Sequence, residues 1–142
     1  MPGVTSNEQG FALQIEAWCE RAKKRMDVTA RLVTAEMFTR VIQRSPVDTG
    51  RFRANWQVGI DHIPTGLVLI NDRSGQMTIN KVTAEVMKLK AGQKIHLVNN
   101  LPYARRLEYG YSRQAPSGMV RITVTEFRAL LQKAANQAQT IQ

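Results

Sequence analysis

Residues 11–43 have the sequence FALQIEAWCERAKKRMDVTARLVTAEMFTRVIQ, in which apolar side chains recur at steps of three and four. Steps of this size place the apolar residues on one face of an α-helix. This stripe consists of Phe11, Ile15, Trp18, Ala22, Met26, Ala30, Val33, Met37 and Val41. Ser45 precedes Pro46, and the residue before a proline disfavours α geometry. The pattern therefore predicts one long amphipathic helix from about Asn7 to Arg44.

The predicted helix is too long to pack along its whole length against the rest of the chain. At 1.5 Å per residue it would be ~50 Å long, which exceeds the diameter of a domain of this size. The helix therefore either breaks near Asp27-Val28-Thr29 or extends its apolar stripe onto a partner, such as a second copy of the chain.

The remaining elements combine short strands with short helices. Alternating side chains predict a strand at 56–61, which a turn at 64–66 joins in a hairpin to a second strand at 67–70. A third strand is predicted at 94–99. Helices are predicted at 81–90, 102–109 and 118–137; residues 120–125 also alternate like a strand, but the longer helical stripe favours a helix. The expected fold is α+β in one domain, 1–142, comprising a long helix (1–45), a sheet with short helices (46–118), and a C-terminal helix with a polar tail (119–142).

Composition excludes several classes of protein. The chain has 142 residues and a net charge of +9, and its single cysteine, Cys19, excludes an internal disulfide. We expect no signal peptide and no membrane span, and hence a soluble protein of a reducing cytoplasm. The charge is uneven: residues 1–50 have seven Lys/Arg against six Asp/Glu, whereas residues 51–142 have thirteen against five. This basic second part predicts an anionic partner, either nucleic acid or an acidic protein surface.

Signals for catalysis are weak. His62 and His96 lack acidic or cysteine neighbours at a ligand spacing, and no phosphate-binding loop, nucleophile elbow or zinc-protease motif is present. Asp48, Asp61 and Asp72 lie at turns or strand ends, where an Asx-turn role is favoured over general-base catalysis. We therefore predict that the chain is not an enzyme and uses no cofactor and no metal.

Two segments contain the residues expected to make contacts. The first, residues 45–56, has a turn formed by Asp48, Thr49 and Gly50, followed by Arg51 and Arg53. The second, residues 98–110, combines tyrosines with arginines, as do Tyr111 and Arg113 just after it, and this composition is enriched at protein interfaces. Within it, Tyr103 is expected to pack inward behind Pro102. The candidate interface residues are Arg51, Arg53, Arg105, Arg106, Glu108, Tyr109, Tyr111 and Arg113.

Glu108 is the lone acid among the arginines of the second segment, and two roles stay open for it. It forms either an ion pair between subunits or a weak ion pair on the surface of its own helix.

Three motifs in order resemble those of one protein family. They are the Ser45-Pro46-Val47-Asp48-Thr49-Gly50-Arg51 string after a helix, the segment from Asn99 through Pro102-Tyr103-Ala104 to Leu107-Glu108-Tyr109-Gly110, and the string Ala115-Pro116-Ser117-Gly118-Met119. Together they resemble the tail-completion and head–tail joining (neck) proteins of long-tailed bacteriophages and prophages, including the minor tail protein Z-like members. The chain departs from the simplest members by the predicted helix at 81–90 and by Ser117-Gly118, where a bulky residue is common.

The resemblance implies a structural virion protein without catalysis. It implies a long helix on a small curved antiparallel sheet and assembly into a ring, usually of six. The implied partners are copies of the chain, the tail tube or tail terminator protein, and the head connector or adaptor, with a passing contact to DNA in the channel. The implied location is the tail neck of the virion, and the host cytoplasm during assembly.

Two alternatives to a joining role are retained. A tail terminator that stops growth of the tube belongs to the same class of structural protein. A sequence-nonspecific DNA-binding protein that uses the basic second part belongs to another class, and its affinity would fall as the salt concentration rises.

Overall fold

The computed structural model of the chain describes residues 6–140 and has a mixed α+β fold. A long N-terminal helix precedes a two-stranded antiparallel sheet with short helices inserted, and a helix is the last element of the described residues. The elements are α1 Ser6–Gln43, α2 Arg51–Ala54, β1 Trp56–Ile60, α3 Gln76–Val86, β2 Ile95–Asn99, α4 Ala104–Glu108, α5 Val120–Val124 and α6 Phe127–Ala138. Within residues 6–140, no helix is both long enough and apolar enough to cross a bilayer.

Helix α1 is continuous over 38 residues and therefore ~57 Å long. The predicted break at Asp27-Val28-Thr29 is absent, and the hydroxyl of Thr29 donates to the carbonyl oxygen of Arg25 at 2.8 Å inside the helix. The helix is therefore unbroken, and the contact of its apolar stripe with a partner stays a prediction. The predicted ends, Asn7 and Arg44, each lie within one residue of the observed ends.

Helix α6 packs along the C-terminal half of α1. Leu130 and Ala134 of α6 form a small buried cluster with Val33 of α1. At the start of α6, Glu126 Oε2 lies 2.8 Å from Arg40 Nη1 and 3.0 Å from Arg44 Nη2, and Glu126 Oε1 accepts a further bond from Arg44. The hydrogen bonds from Arg44, with the nearby charge of Arg40, hold the pKa of Glu126 below its usual value against the opposing effect of burial.

The main core lies between the end of α1, the sheet and α3. Its buried members are Val41, Ile42, Phe52, Trp56, Ile79, Val82, Val86, Leu101, Ala115 and Met119. Trp56 is 6% exposed and donates its indole N–H to Ser45 Oγ at 2.8 Å, so the large ring is buried without an unpaired polar atom.

The sheet contains β1 and β2 alone among the described residues. The two strands pair antiparallel, from Trp56 opposite Asn99 to Ile60 opposite Ile95. This pairing confirms the predicted strands at 56–61 and 94–99 to within one residue each. The predicted strand at 67–70 is wrong. The side chain of Asn55 instead accepts from the backbone N–H of Val68 at 2.8 Å and donates to its carbonyl at 3.0 Å. The Asn55 side chain thus hydrogen-bonds the backbone groups of Val68 that a hairpin would have paired with β1.

Three helices differ from their predicted bounds. The helix predicted at 81–90 begins five residues earlier and ends at Val86, and the helix predicted at 102–109 covers only 104–108. The helix predicted at 118–137 is divided into α5 and α6, because the chain turns after Val124, where the N–H of Glu126 donates to the Thr123 carbonyl at 3.0 Å. Residues 120–124 are helical, as the longer stripe predicted.

Truncation of a core side chain tests this packing. Ile42 is fully buried, so we expect Ile42→Ala to lower the free energy of unfolding by about 2–5 kcal/mol. Leu69 is 86% exposed, and Leu69→Ala removes as many carbons with an expected change within about 0.5 kcal/mol. Chemical denaturation followed by circular dichroism measures both. Equal losses in the two variants would contradict the described core.

Candidate interaction surface

The two motif segments singled out in the sequence lie side by side in the fold. The side-chain amide of Gln114 accepts from the N–H of Val47 at 2.9 Å and donates to its carbonyl at 3.1 Å. The rings of Phe52 and Tyr103 have centroids 6.0 Å apart. Between the segments is a cleft of about 470 Å³, which we call the motif cleft, lined by residues that include Asp48, Thr49, Arg51, Tyr103, Tyr111 and Gln114.

The turn at the edge of the motif cleft has the predicted conformation. Thr49 Oγ1 accepts from the N–H of Arg51 at 3.2 Å, and Asp48 is exposed beside it. Gly50 has φ +93°, and a Cβ atom there would lie 2.5 Å from the backbone nitrogen of Arg73. Glycine is therefore required for the turn to pack against the segment that leads into α3.

Arg53 points into the molecule rather than towards a neighbour. Its guanidinium donates to the carbonyl oxygens of Gln43 at 2.9 Å, Ser45 at 3.0 Å, Arg73 at 2.9 Å and Ser74 at 3.2 Å. Burial lowers the pKa of Arg53, and the charge of Asp72 opposes that effect. The interface role of Arg53 stays a prediction, but these four bonds give the side chain a structural role within its own chain.

Asp72 is the most highly bonded of the three turn aspartates. Its Oδ2 accepts from the N–H and the hydroxyl of Thr78, each at 2.8 Å, and its Oδ1 accepts from the N–H of Gly75 at 3.1 Å. Burial alone would raise the pKa of Asp72, but these hydrogen bonds together hold it below its usual value. The Asp72 carboxylate thus accepts from N–H groups in the first turn of α3 that would otherwise lack a partner. This explains why α3 begins at Gln76, before the apolar pattern at 81–90 starts.

Glu108 binds backbone groups rather than an arginine side chain. Its Oε1 lies 2.7 Å from the backbone nitrogens of both Met119 and Val120, at the start of α5. Gly118 has φ +81°, and a Cβ atom there would lie 2.4 Å from the Glu108 carbonyl oxygen. Among residues 8–140, Glu108 forms no ion pair on the surface of its own helix, and the ion pair between subunits stays a prediction. The glycine at 118 allows the close approach of Glu108.

The remaining candidate residues form an exposed surface of arginines and tyrosines. Tyr109 and Tyr111 are 64% and 76% exposed, whereas Tyr103 contacts Phe52 and is 40% exposed. Arginine guanidinium groups stand over the rings: Arg121 is 4.8 Å from the Tyr109 centroid, and Arg106 is 5.9 Å from that of Tyr111. We call this the Arg/Tyr surface, and its members are Arg51, Arg105, Arg106, Tyr109, Tyr111, Arg113 and Arg121.

The first half of α1 forms a second exposed surface. Residues 8–20, which we call the α1 extension, precede the part of α1 that α6 covers, and most of their apolar side chains face solvent. Phe11 is 65%, Leu13 66% and Trp18 61% exposed. The apolar stripe predicted from the sequence is therefore covered by α6 only in its C-terminal part.

The geometry offers few groups for catalysis. Within the described residues, no three His, Cys, Asp or Glu side chains lie close enough to hold a metal ion together. His62 is exposed and its Nδ1 lies 3.1 Å from the carbonyl oxygen of Ile60. Asp61 Oδ1 accepts from the N–H of Lys94 at 3.0 Å, a turn role, and Cys19 is a half-buried free thiol on the α1 extension.

No protein-family model, no curated protein and no solved structure matches this chain.

Replacement of the buried carboxylate tests its role through pH. The pKa of Asp72 is lower in the folded chain than the ordinary aspartate value of about 3.9, so its stabilisation is complete at neutral pH and is lost as pH falls below about 4. We expect Asp72→Asn to lower the free energy of unfolding by about 1–3 kcal/mol at pH 7. The difference from the parent chain should shrink between about pH 4 and pH 2. Denaturation at several pH values measures it, and a pH-independent difference would contradict the described bonds.

The cap on α5 can be tested by truncation. Glu108→Ala leaves several backbone N–H groups without their acceptor, so we expect a loss of about 0.5–2 kcal/mol in the free energy of unfolding. Glu85→Ala is the control, since Glu85 pairs with Lys88 at an exposed surface of α3 and contributes little. A larger loss in the control would refute the capping role.

Proposed function

We propose that the chain is a structural subunit of a phage tail neck, which assembles with copies of itself into a ring, of six in the form the family resemblance implies. The ring completes the tail and joins it to the head connector or adaptor. Its neighbours are the tail tube or tail terminator protein on one side and the connector on the other, and DNA passes through its channel. The protein acts by binding, without catalysis.

One observation carries the proposal: the chain has two exposed surfaces of different chemistry at separate places. The α1 extension has large apolar side chains in solvent, with Phe11 65% exposed, and the Arg/Tyr surface has tyrosines under arginines. Contiguous exposed apolar surface marks a site of protein contact. A ring needs two different patches on each subunit that complement each other. The chain offers different patches at separate places, which supports assembly into a ring.

The motifs that carry the family resemblance also form one physical unit. Gln114 joins the segment after α4 to Val47 in the turn before α2, and Gly50 and Gly118 are each needed for a close backbone approach. These motif residues thus maintain the motif cleft and the loops around it. The motif cleft and the Arg/Tyr surface beside it are the parts of the subunit that we assign to contacts with neighbouring tail proteins.

The excess positive charge supports docking on an acidic protein. Residues 51–142 carry thirteen Lys/Arg against five Asp/Glu. A channel through which DNA moves quickly should not bind it tightly, since each phosphate contact adds affinity. We therefore assign most of this charge to contacts with an acidic rim of the tail tube or connector.

A second candidate is a sequence-nonspecific DNA-binding protein, favoured by the exposed arginines of the Arg/Tyr surface. Arg105, Arg106 and Arg113 are all exposed, and exposed tyrosines beside them could stack on bases. Its affinity for duplex DNA would fall linearly in a double-logarithmic plot against salt.

Two measurements on the purified full chain separate the candidates. Size-exclusion chromatography with light scattering should give a closed oligomer, and an electrophoretic shift at about 50 and 200 mM salt should give weak binding to duplex DNA. A chain that stays monomeric and binds DNA tightly would reverse the assignment.

Imaging of particles that lack the protein distinguishes the two tail roles. Full heads beside unattached tails of normal length are expected for a joining protein. Overlong tails would instead indicate the tail terminator role. Normal, fully joined particles would refute both.

A further inference from the structure

An open groove lies along the middle of α1. It has a volume of about 610 Å³, and its walls come from α1, from the segment that leads into β2, and from the second half of α6. Apolar side chains dominate these walls, among them Met26, Val33, Leu89, Ile95, Leu131 and Ala135. We call it the α1 groove. Arg25 is the one charged side chain among its described lining residues, so the groove is apolar with a positive end.

The α1 extension has matching chemistry. Its residues 8–20 include three acids, Glu8, Glu16 and Glu20, and no lysine or arginine, whereas residues 21–142 have 20 Lys/Arg against the other 8 Asp/Glu. Phe11, Ile15 and Trp18 lie on one face of this acidic segment, at steps of four and three, and are 65%, 46% and 61% exposed. The segment is thus apolar on one face and opposite in sign to the rest of the chain.

The extension cannot reach the groove of its own molecule. Phe11 and Val33 lie on the same unbroken helix, 22 positions apart and therefore about 33 Å apart along its axis. A straight helix cannot fold back on itself, so the groove can take an α1 extension only from another molecule.

Charge complementarity identifies that molecule as a second copy. Arg25 lies in the lining of the α1 groove, and Arg21 lies about one turn before it on the same face of α1, whereas Lys23 pairs with Glu20 of its own helix at 3.7 Å. An acidic helix segment is attracted to this positive end of the groove, and the chain itself supplies one at its N-terminal end. Burial of Phe11 and Trp18 in the α1 groove would also remove the two large exposed aromatic rings of the extension from water.

We propose that the α1 extension of one copy docks in the α1 groove of a second copy of this chain, with Phe11, Ile15 and Trp18 against the apolar walls and the acidic residues near Arg25. This contact deepens the proposed function, on which it rests, because it names one of the contacts between subunits. The patch donated and the patch received are different, as a heterologous contact requires.

Two kinds of variant test the contact in the full chain. Ile15→Ser with Trp18→Ser removes the donated face, and we expect self-association to weaken at least about thirtyfold in sedimentation or light scattering. The matched control is Ile63→Ser with Leu69→Ser, since Ile63 and Leu69 are 62% and 86% exposed outside both surfaces. On the receiving side, Ala135→Glu places an acid in the α1 groove, and Asn136→Glu, at the exposed neighbouring position, is its control.

Mixing the extension variant with the groove variant gives the clearest test of the contact. The Ile15→Ser/Trp18→Ser chain keeps its α1 groove, and the Ala135→Glu chain keeps its extension, so each should fail to assemble alone and the mixture should form a 1:1 complex and nothing larger. Trp18 fluorescence of the Ala135→Glu chain should shift to the blue on mixing, because Trp18 leaves water while Trp56 is already buried. Should Ala135→Glu unfold the chain, Leu131→Glu replaces it, since Leu131 is 38% exposed on the same wall.

The outcomes distinguish this contact from the proposed ring. If both the extension variant and the groove variant still assemble, the docking proposal is refuted and the proposed ring is not. Assembly that the extension variant abolishes and the groove variants leave intact also overturns it, because the extensions would then pack on each other. Dimers that both variants dissociate support the docking and refute the ring. A parent chain that is monomeric at every concentration refutes both.

Discussion

The end of α1 is fixed by bonds that connect it to most of the other elements. Ser45 Oγ donates to the Val41 carbonyl at 2.8 Å and accepts from the indole of Trp56, while Arg53 donates to the carbonyls of Gln43 and Ser45. The last carbonyls of a helix lack partners within it, and a cation there is also favoured by the helix dipole. Because Arg53 also binds the carbonyls of Arg73 and Ser74, it joins α1 to the segment before α3. The sheet, α3 and the motif cleft all take their positions from this junction.

Local patterns in the sequence predicted the elements whose causes are local. The Ser45-Pro46 pair gave the end of α1, and alternation gave β1 and β2. The strand expected at 67–70 failed because Asn55, thirteen positions before Val68, binds its backbone. The early start of α3 was not predicted for a similar reason, because the carboxylate of Asp72, which lies before the helix, accepts from the N–H of Thr78. In each case a hydrogen bond from a side chain outside the element changed the bounds of that element. The periodicity of apolar residues contains no information about such a hydrogen bond.

The candidate site divides in the same way. The segments with arginine and tyrosine were predicted, and Tyr109 and Tyr111 are exposed as expected of contact residues. Arg53 is of the same residue type as the exposed arginines, and Glu108 lies among them in the sequence, yet both bind backbone groups of other segments. Composition cannot distinguish a charged side chain that faces a partner from one that binds a backbone carbonyl or amide of its own chain. The difference depends on which backbone groups the fold brings within about 3 Å of the side chain. The lack of Lys and Arg in residues 8–20 of α1, by contrast, can be read directly from the sequence.

The continuity of α1 has a mechanical consequence. A helix without a kink transmits rotation along its whole length, so one residue added between the α1 extension and the part beneath α6 would turn the Phe11 face by about 100° and advance it by about 1.5 Å. Four added residues would restore the facing to within about 40° but lengthen the rod by about 6 Å. The angle and the spacing that the extension offers to anything it touches are therefore both set by the number of residues in a single helix.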